Sequence, residues 1–152
     1  MKFLHDPGCC AEIRARLMKV TPETPRQWGK MNASQMICHL NDAFLGVMGE
    51  KAAEPLRGVN LWPLMKKFVL YAPVKWPQGV PTRPEYDQQI GGTQPVEFAC
   101  DMQTLLLTIE RFTAVPRDFE FAPHPMFKRL SDKDWMRWGY LHCDHHLRQF
   151  GA

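Results

Sequence analysis

Three histidines lie close together near the end of the chain, and two of them have a spacing that would let them bind one metal ion. His142 and His146 are four residues apart, and His145 lies between them. Four residues of an α-helix rise about 6 Å, and side chains at this spacing lie on the same face. Two imidazoles placed in this way can both reach one cation at about 2.0–2.1 Å. If the segment is helical, the pair predicts a metal site.

The direction of this pair follows from its neighbours in the sequence. A rotation of about 100° per residue places Trp135, Trp138, His146 and Gln149 within about 40° of His142. The pair therefore lies in an apolar stripe and is expected to point inward. Two neutral histidines buried without partners would leave ring nitrogens unsatisfied at a cost of about 1–3 kcal/mol each, which a cation relieves. A simple packing or surface role is the alternative, because an HxxxH pair alone is a weak signal.

A third ligand is expected from a facing helix, and His39 is the candidate. It lies near the middle of a predicted helix, at the edge of its apolar stripe, although a satisfied core histidine is the alternative. Three histidines from two helices leave coordination positions open for water, which is typical of catalytic sites. His145 points about 60° away from the pair and favours a charge role at the helix C-terminus. His5 and His124 are expected to be structural or solvent-exposed.

The spacing excludes two familiar metal sites. A zincin has Glu directly after its first histidine, where this chain has Cys143. A ferritin-like di-metal bundle has Glu three residues before each histidine, and the residues here are Met36, Gly139 and Cys143. A mononuclear site remains.

Asp42 is the candidate catalytic residue beside this site. It follows His39 by three residues, about 60° round the helix, so it could accept a hydrogen bond from a ligand or accept a proton. A solvated residue on the flank of the helix is an equally weighted alternative. Cys38 and Cys143 adjoin the ligands in sequence but point about 100° away, so they are expected to be core thiols.

Five predicted helices must position these residues. Apolar periodicity and capping signals such as Asp6-Pro7, Asn32 and Ser131 place them near 7–19, 33–50, 62–71, 95–114 and 132–149. Few Val and Ile residues and no two-residue alternation leave little for a sheet. The sequence therefore predicts an all-α fold, a four-helix bundle with a short extra helix and a long Pro-rich loop over 72–95, between the second and third main helices. In that loop Trp76, Arg83 and Tyr86 either cover the metal and select substrate or only pin the loop down.

Composition limits the classes of function. With 152 residues, 45% of them hydrophobic and 23% charged, the chain fits a single domain over 1–152. The net charge of +3 is scattered, which argues against nucleic acid as a partner. There is no apolar run of membrane-spanning length and no signal peptide, so a cytoplasmic protein is expected. Five cysteines without a CxxC pair are expected to be reduced thiols.

Two segments, Trp28 to Leu40 and His142 to Gln149, resemble the DinB/YfiT-like superfamily, and look closest to an uncharacterised branch of it. The shared pattern is a histidine on the second helix and a C-terminal HxxxH followed two residues later by Arg-Gln. The usual ending is His-Arg-Gly-Gln, whereas this chain has His146-Leu147-Arg148-Gln149. The resemblance implies a four-helix bundle, often dimeric, with a divalent metal held by His39, His142 and His146.

The resemblance also suggests a range of activities. Relatives include metal-dependent thiol transferases and a maleylpyruvate isomerase that uses low-molecular-weight thiols. The expected function is a divalent-metal-dependent enzyme acting on a small molecule, as a hydrolase or thiol transferase. Zinc or nickel is expected as the metal, a low-molecular-weight thiol as a co-substrate and a homodimer as the assembly. The alternative is a non-catalytic metal-binding bundle with a structural or stress-related role.

Overall fold

The computed structural model describes residues 1–54 and 63–152, and within these ranges the chain is all-helical. Its five α-helices are α1 (Pro7–Leu17), α2 (Ala33–Val47), α3 (Pro63–Tyr71), α4 (Phe98–Thr113) and α5 (Asp132–Gln149), with a 3-10 turn at Pro84–Tyr86. The described part contains no β-strand, and its one isolated bridge joins His124 to Lys128. The all-α prediction is therefore confirmed. The predicted start of the third helix at Trp62 lies outside the described residues.

Capping residues explain where the site-bearing helices begin. The side chain of Asn32 accepts a hydrogen bond from the backbone N–H of Gln35, and the Gln35 side chain accepts one from Asn32. Ser131 and Asp134 form the same reciprocal box at the start of α5. These boxes satisfy N–H groups that have no partner within the helix, so both starts match the predictions.

Two predicted boundaries are wrong by three residues. Helix α2 ends at Val47 instead of 50, because Gly49 adopts φ +77° and the N–H of Glu50 donates back to the carbonyl of Leu45. This is a Schellman ending, which takes the chain out of the helix. Helix α4 begins at Phe98 instead of 95, because the Glu97 side chain accepts from the N–H groups of Ala99 and Cys100.

The helices pack so that α2 and α5 are neighbours. Helix α2 contacts α4 and α5, while α1 and α3 each contact α5. Near the centre the ring of Phe44 on α2 lies 4.8 Å from that of Phe112 on α4 and 5.8 Å from that of Trp138 on α5, between centroids. This apolar contact fixes the two helices that carry the candidate ligands. None of the described helices is long and apolar enough to cross a membrane.

Candidate metal centre

The three predicted ligands come together between α2 and α5. One nitrogen from each of His39, His142 and His146 lies within 4.8 Å of the others. The Nε2 atoms of His39 and His142 are 3.2 Å apart. The ring centroids are 4.6 Å apart for His39 and His146 and 4.9 Å apart for His142 and His146. The structure therefore brings the three predicted side chains together in a cluster that could hold a metal ion.

His39 is oriented by the loop that covers the site. Its Nδ1 lies 2.9 Å from the backbone carbonyl of Tyr86, to which it must donate because the carbonyl only accepts. The proton on Nδ1 leaves the Nε2 lone pair free to face the cluster. Tyr86 lies close to α2 because position 46 is glycine: a Cβ at Gly46 would collide with the Tyr86 hydroxyl.

His146 is oriented from within its own helix. The Gln149 amide nitrogen donates to the backbone carbonyl of Trp28 at 2.9 Å, so its Oε1 faces the Nδ1 of His146 at 2.9 Å and accepts that proton. The Nε2 of His146 is again left as the free lone pair. The segment before α2 thereby fixes a candidate ligand on α5.

His142 is held by aromatic packing instead. Its ring centroid lies 4.8 Å from that of Trp138 and 6.1 Å from that of Trp76. Its Nδ1 is buried and has no hydrogen-bond partner among the described residues. His142 is thus confined by two tryptophans, and it differs from the other two candidate ligands in having no described acceptor behind it.

The electrostatics of the cluster suit a cation. Burial lowers the pKa of His39 and holds the pKa values of His142 and His146 well below the ordinary value. The rings are therefore neutral, which is the form that binds metals. Two nitrogens at about 2.0–2.1 Å from a tetrahedral ion lie about 3.3 Å apart, close to the separation of the His39 and His142 Nε2 atoms. The donor set fits a divalent ion that accepts imidazole.

Asp42 is not a solvated flank residue, because its side chain is completely buried. Its carboxylate accepts hydrogen bonds from Gln88 and from the backbone and hydroxyl of Thr93, and it pairs with Lys51 at 3.0 Å. These contacts fasten the covering loop to α2. The acceptor behind His39 is the Tyr86 carbonyl, and the role of Asp42 as a proton acceptor stays a prediction.

Other side chains near the ligands have different surroundings. Cys38 and Cys143 are buried, and burial raises the pKa of Cys38 to about 12 and that of Cys143 further, as expected of core thiols. His145 lies outside the cluster, beside Trp28 and Trp76. Burial, reinforced by the nearby Arg148, lowers the pKa of His145, so a neutral ring replaces the expected helix-end charge.

A cavity of about 370 Å³ opens directly onto the three histidines. The loop residues Trp76, Arg83 and Tyr86, predicted either to cover the metal or to pin the loop, all line it. Their contacts serve both purposes: Trp76 packs on His142 while its Nε1 donates to the carbonyl of Val69. The centre is therefore accessible to a small molecule.

His124 also lines this cavity and was missed as a functional candidate. It is buried, 8% exposed, with its ring 4.7 Å from Phe127 and 5.7 Å from Trp135. Its position between Pro123 and Pro125 indicates a stiff segment, which was the available signal. Neither helical spacing nor a motif connects it to the other histidines.

The sequence matches one known family almost along its full length. The profile of a family described as "Protein of unknown function (DUF1569)" matches residues 10–152. Nothing matches among the curated proteins or among the solved structures.

Proposed function

The chain belongs to the DUF1569 family, a family of unknown function, and we propose that it is a divalent-metal-dependent enzyme acting on a small molecule, as a hydrolase or thiol transferase. The observation that carries this proposal is the position of the histidine nitrogens. They converge beside a cavity of about 370 Å³, a size typical of small-molecule sites. A purely structural ion is usually enclosed by four protein ligands, whereas three ligands beside a cavity favour catalysis.

Each group of the site has a distinct task in this proposal. His39, His142 and His146 would hold the ion, while the Tyr86 carbonyl and Gln149 fix two of the rings. A divalent ion held there would act as a Lewis acid. It would lower the pKa of a bound water toward about 7, or it would lower the pKa of a bound low-molecular-weight thiol. Imidazole ligands are compatible with the proposed zinc or nickel.

The architecture supports the DinB/YfiT-like assignment. The four longer helices are α1, α2, α4 and α5, and their described contacts join α1 to α5, α5 to α2 and α2 to α4. We assign them to a four-helix bundle in which α3 is the extra helix and the loop after it covers the metal centre. A ligand from the second helix and two from the last helix match the pattern of that superfamily.

Elemental analysis of protein purified without an affinity tag tests the metal assignment. About one equivalent of zinc or nickel is expected per chain, and His142→Ala should lose at least nine-tenths of it. His5→Ala is the matched control, because His5 is half exposed and lies outside the histidine cluster, beside its neighbour Asp6. A chain that binds no divalent metal, or an alanine variant that retains it fully, would overturn the proposal.

A non-catalytic metal-binding bundle is the second candidate. It is favoured by the burial of His39 and His146, which lets one ion join α2 to α5. Thiol-conjugation and ester-hydrolysis assays on the metal-loaded protein address the first candidate directly. Turnover that disappears in His142→Ala would decide for the enzyme, and a dependence of folding on the metal would decide for the structural role.

A further inference from the structure

The cavity beside the three histidines is apolar, and the charged residues that line it are cationic. Apolar side chains form most of its surface, and its charged or polar members are Lys75, Thr82, Arg83, Tyr86 and the histidines. No Asp or Glu of the described ranges lines it. A cavity with cations and N–H donors but without carboxylates attracts negative charge.

The charges of the wall sum to about one uncompensated cation. Arg83 is paired with Glu85, whose oxygen lies 3.0 Å from Nη2, and it also donates to the carbonyl of Glu54. Glu85 therefore neutralises much of the Arg83 charge. Lys75 is exposed at the cavity and forms no ion pair with any described residue. One free ammonium suits a singly charged group better than a phosphate dianion.

His124, which lines the same cavity, carries a hydrogen-bond donor fixed on one ring nitrogen. Its Nδ1 accepts from the backbone N–H groups of Met126 at 3.1 Å and Phe127 at 3.2 Å. The ring proton must therefore sit on Nε2, which has no hydrogen-bond partner in the described part of the chain. Burial and the nearby Arg83 lower the pKa of His124 to about 4, so near pH 7 it is a neutral donor.

We propose that the cavity takes a small organic monoanion, an apolar body bearing one carboxylate. The carboxylate accepts the Nε2–H of His124 and pairs with Lys75, and the apolar body packs against Trp76, Val80 and Phe127. This orientation brings the bound molecule beside the histidine cluster. The inference rests on the proposed function, since it names the substrate class of that site.

Calorimetric titration with three probes tests the inference. The probes are 3-phenylpropionate, 3-phenylpropionamide, which has the same shape without the charge, and propionate, which lacks the apolar body. Each is titrated into zinc-loaded and into metal-free protein. The aromatic acid should bind at least tenfold more tightly than either of the other two in both forms. Equal affinity for acid and amide in metal-free protein would overturn the inference, because any preference would then belong to the ion.

Two variants locate the preference in the wall. Lys75→Met and His124→Phe should each reduce the acid-over-amide ratio at least fivefold, and Phe keeps the aromatic contacts with Phe127 and Trp135. Lys67→Met, an exposed lysine of α3 that does not line the cavity, is the matched control. If both cavity variants leave the ratio unchanged, the inference is wrong. Lys75 is exposed, so its variant gives an answer even if circular dichroism shows that His124→Phe is unfolded.

The two proposals fail in different measurements. A chain without metal that still prefers the acid refutes the proposed function and keeps the anion site. If the chain binds one metal ion and shows no preference for the acid over the amide, only the proposed anion site is refuted.

Discussion

Gln149 holds His146 across one turn of α5, with its Oε1 2.9 Å from the Nδ1 of the ligand, and is itself fixed by its donation to the Trp28 carbonyl. An acceptor behind a metal-bound histidine sets the tautomer and the ring direction. Trp28, whose carbonyl accepts from Gln149, belongs to the segment before α2. The histidine cluster is thus connected to a part of the chain that contributes none of its three histidines.

Removing the acceptor should weaken metal binding without touching a ligand. Gln149→Leu is expected to lower zinc affinity about 10- to 100-fold, because His146 loses the group that fixes its ring. Competition with a chromophoric chelator measures the change. Gln149→Glu retains an acceptor and should bind more tightly than the leucine variant. Wild-type affinity in Gln149→Leu would show that His146 needs no such partner or is not a ligand.

The contact between Gly46 and Tyr86 gives a second test at a distance from the ligands. Gly46→Ala should displace Tyr86 and with it the carbonyl that holds His39, so zinc affinity should fall at least tenfold. Alanine favours a helix by about 0.5–1 kcal/mol, so lower affinity could not be attributed to a weaker α2. Gly8→Ala is the control, because no atom of the described residues lies within 4 Å of a Cβ at that helical position. Equal affinities in the two variants would contradict the proposed role of Tyr86.

The clustering of the three histidines could be predicted from the sequence because helical spacing determines which way a side chain points. His142 and His146 lie four residues apart in a stripe with Trp135 and Trp138, and both tryptophans are buried in the structure. His39 follows from its place on the apolar edge of α2. Both helix starts were readable as well, since a capping box is a local sequence pattern.

The groups behind the ligands could not be predicted in the same way. The acceptor for His39 is a backbone carbonyl 47 residues away, and every residue carries a backbone carbonyl. The sequence did not show whether the Asp42 side chain is buried or solvated, because its partner Thr93 lies 51 residues further along the chain. The cavity depends on how an irregular loop folds back, which residue periodicity does not encode.

Metal removal should leave the protein folded. The interior contains large, fully buried apolar side chains such as Phe44, Phe112 and Trp135, which do not depend on the ion. At free metal a thousandfold above Kd, binding contributes about 4 kcal/mol, so chelation should lower Tm by roughly 10 °C while the helical signal at 25 °C is retained. Circular dichroism with and without a strong chelator measures both. Loss of the helical signal at 25 °C would instead favour the structural role.

Asp134 should make the free energy of unfolding depend on pH in the acid range. Burial alone would raise its pKa, but hydrogen bonds from Tyr71, Ser131 and Lys66 outweigh burial and lower the pKa to about 2. A carboxylate with a depressed pKa stabilises the fold above its unfolded value of about 3.9, and that contribution is lost as pH falls toward 2. Asp134→Ala should therefore lose about 1–3 kcal/mol at pH 7 and less at pH 3.

Urea unfolding at the two pH values provides the comparison for Asp134. Asp132→Ala is the control within the same helical turn, because the Asp132 side chain is 70% exposed and its pair with Arg117 is worth about 0–1 kcal/mol. A destabilisation by Asp134→Ala that stays constant between pH 7 and pH 3 would show that packing, rather than the charged form, carries the effect.

Asp42 should act on stability more than on the metal centre. Asp42→Asn leaves Lys51 without its buried partner and weakens the acceptor for Thr93, so a loss of about 3 kcal/mol in the free energy of unfolding is expected. Zinc affinity should fall less than in Gln149→Leu, because the acceptor behind His39 is Tyr86. Urea unfolding and chelator competition on the same protein separate the two effects. A variant that remains fully stable but loses turnover would instead assign Asp42 the proton-accepting role predicted from its position beside His39.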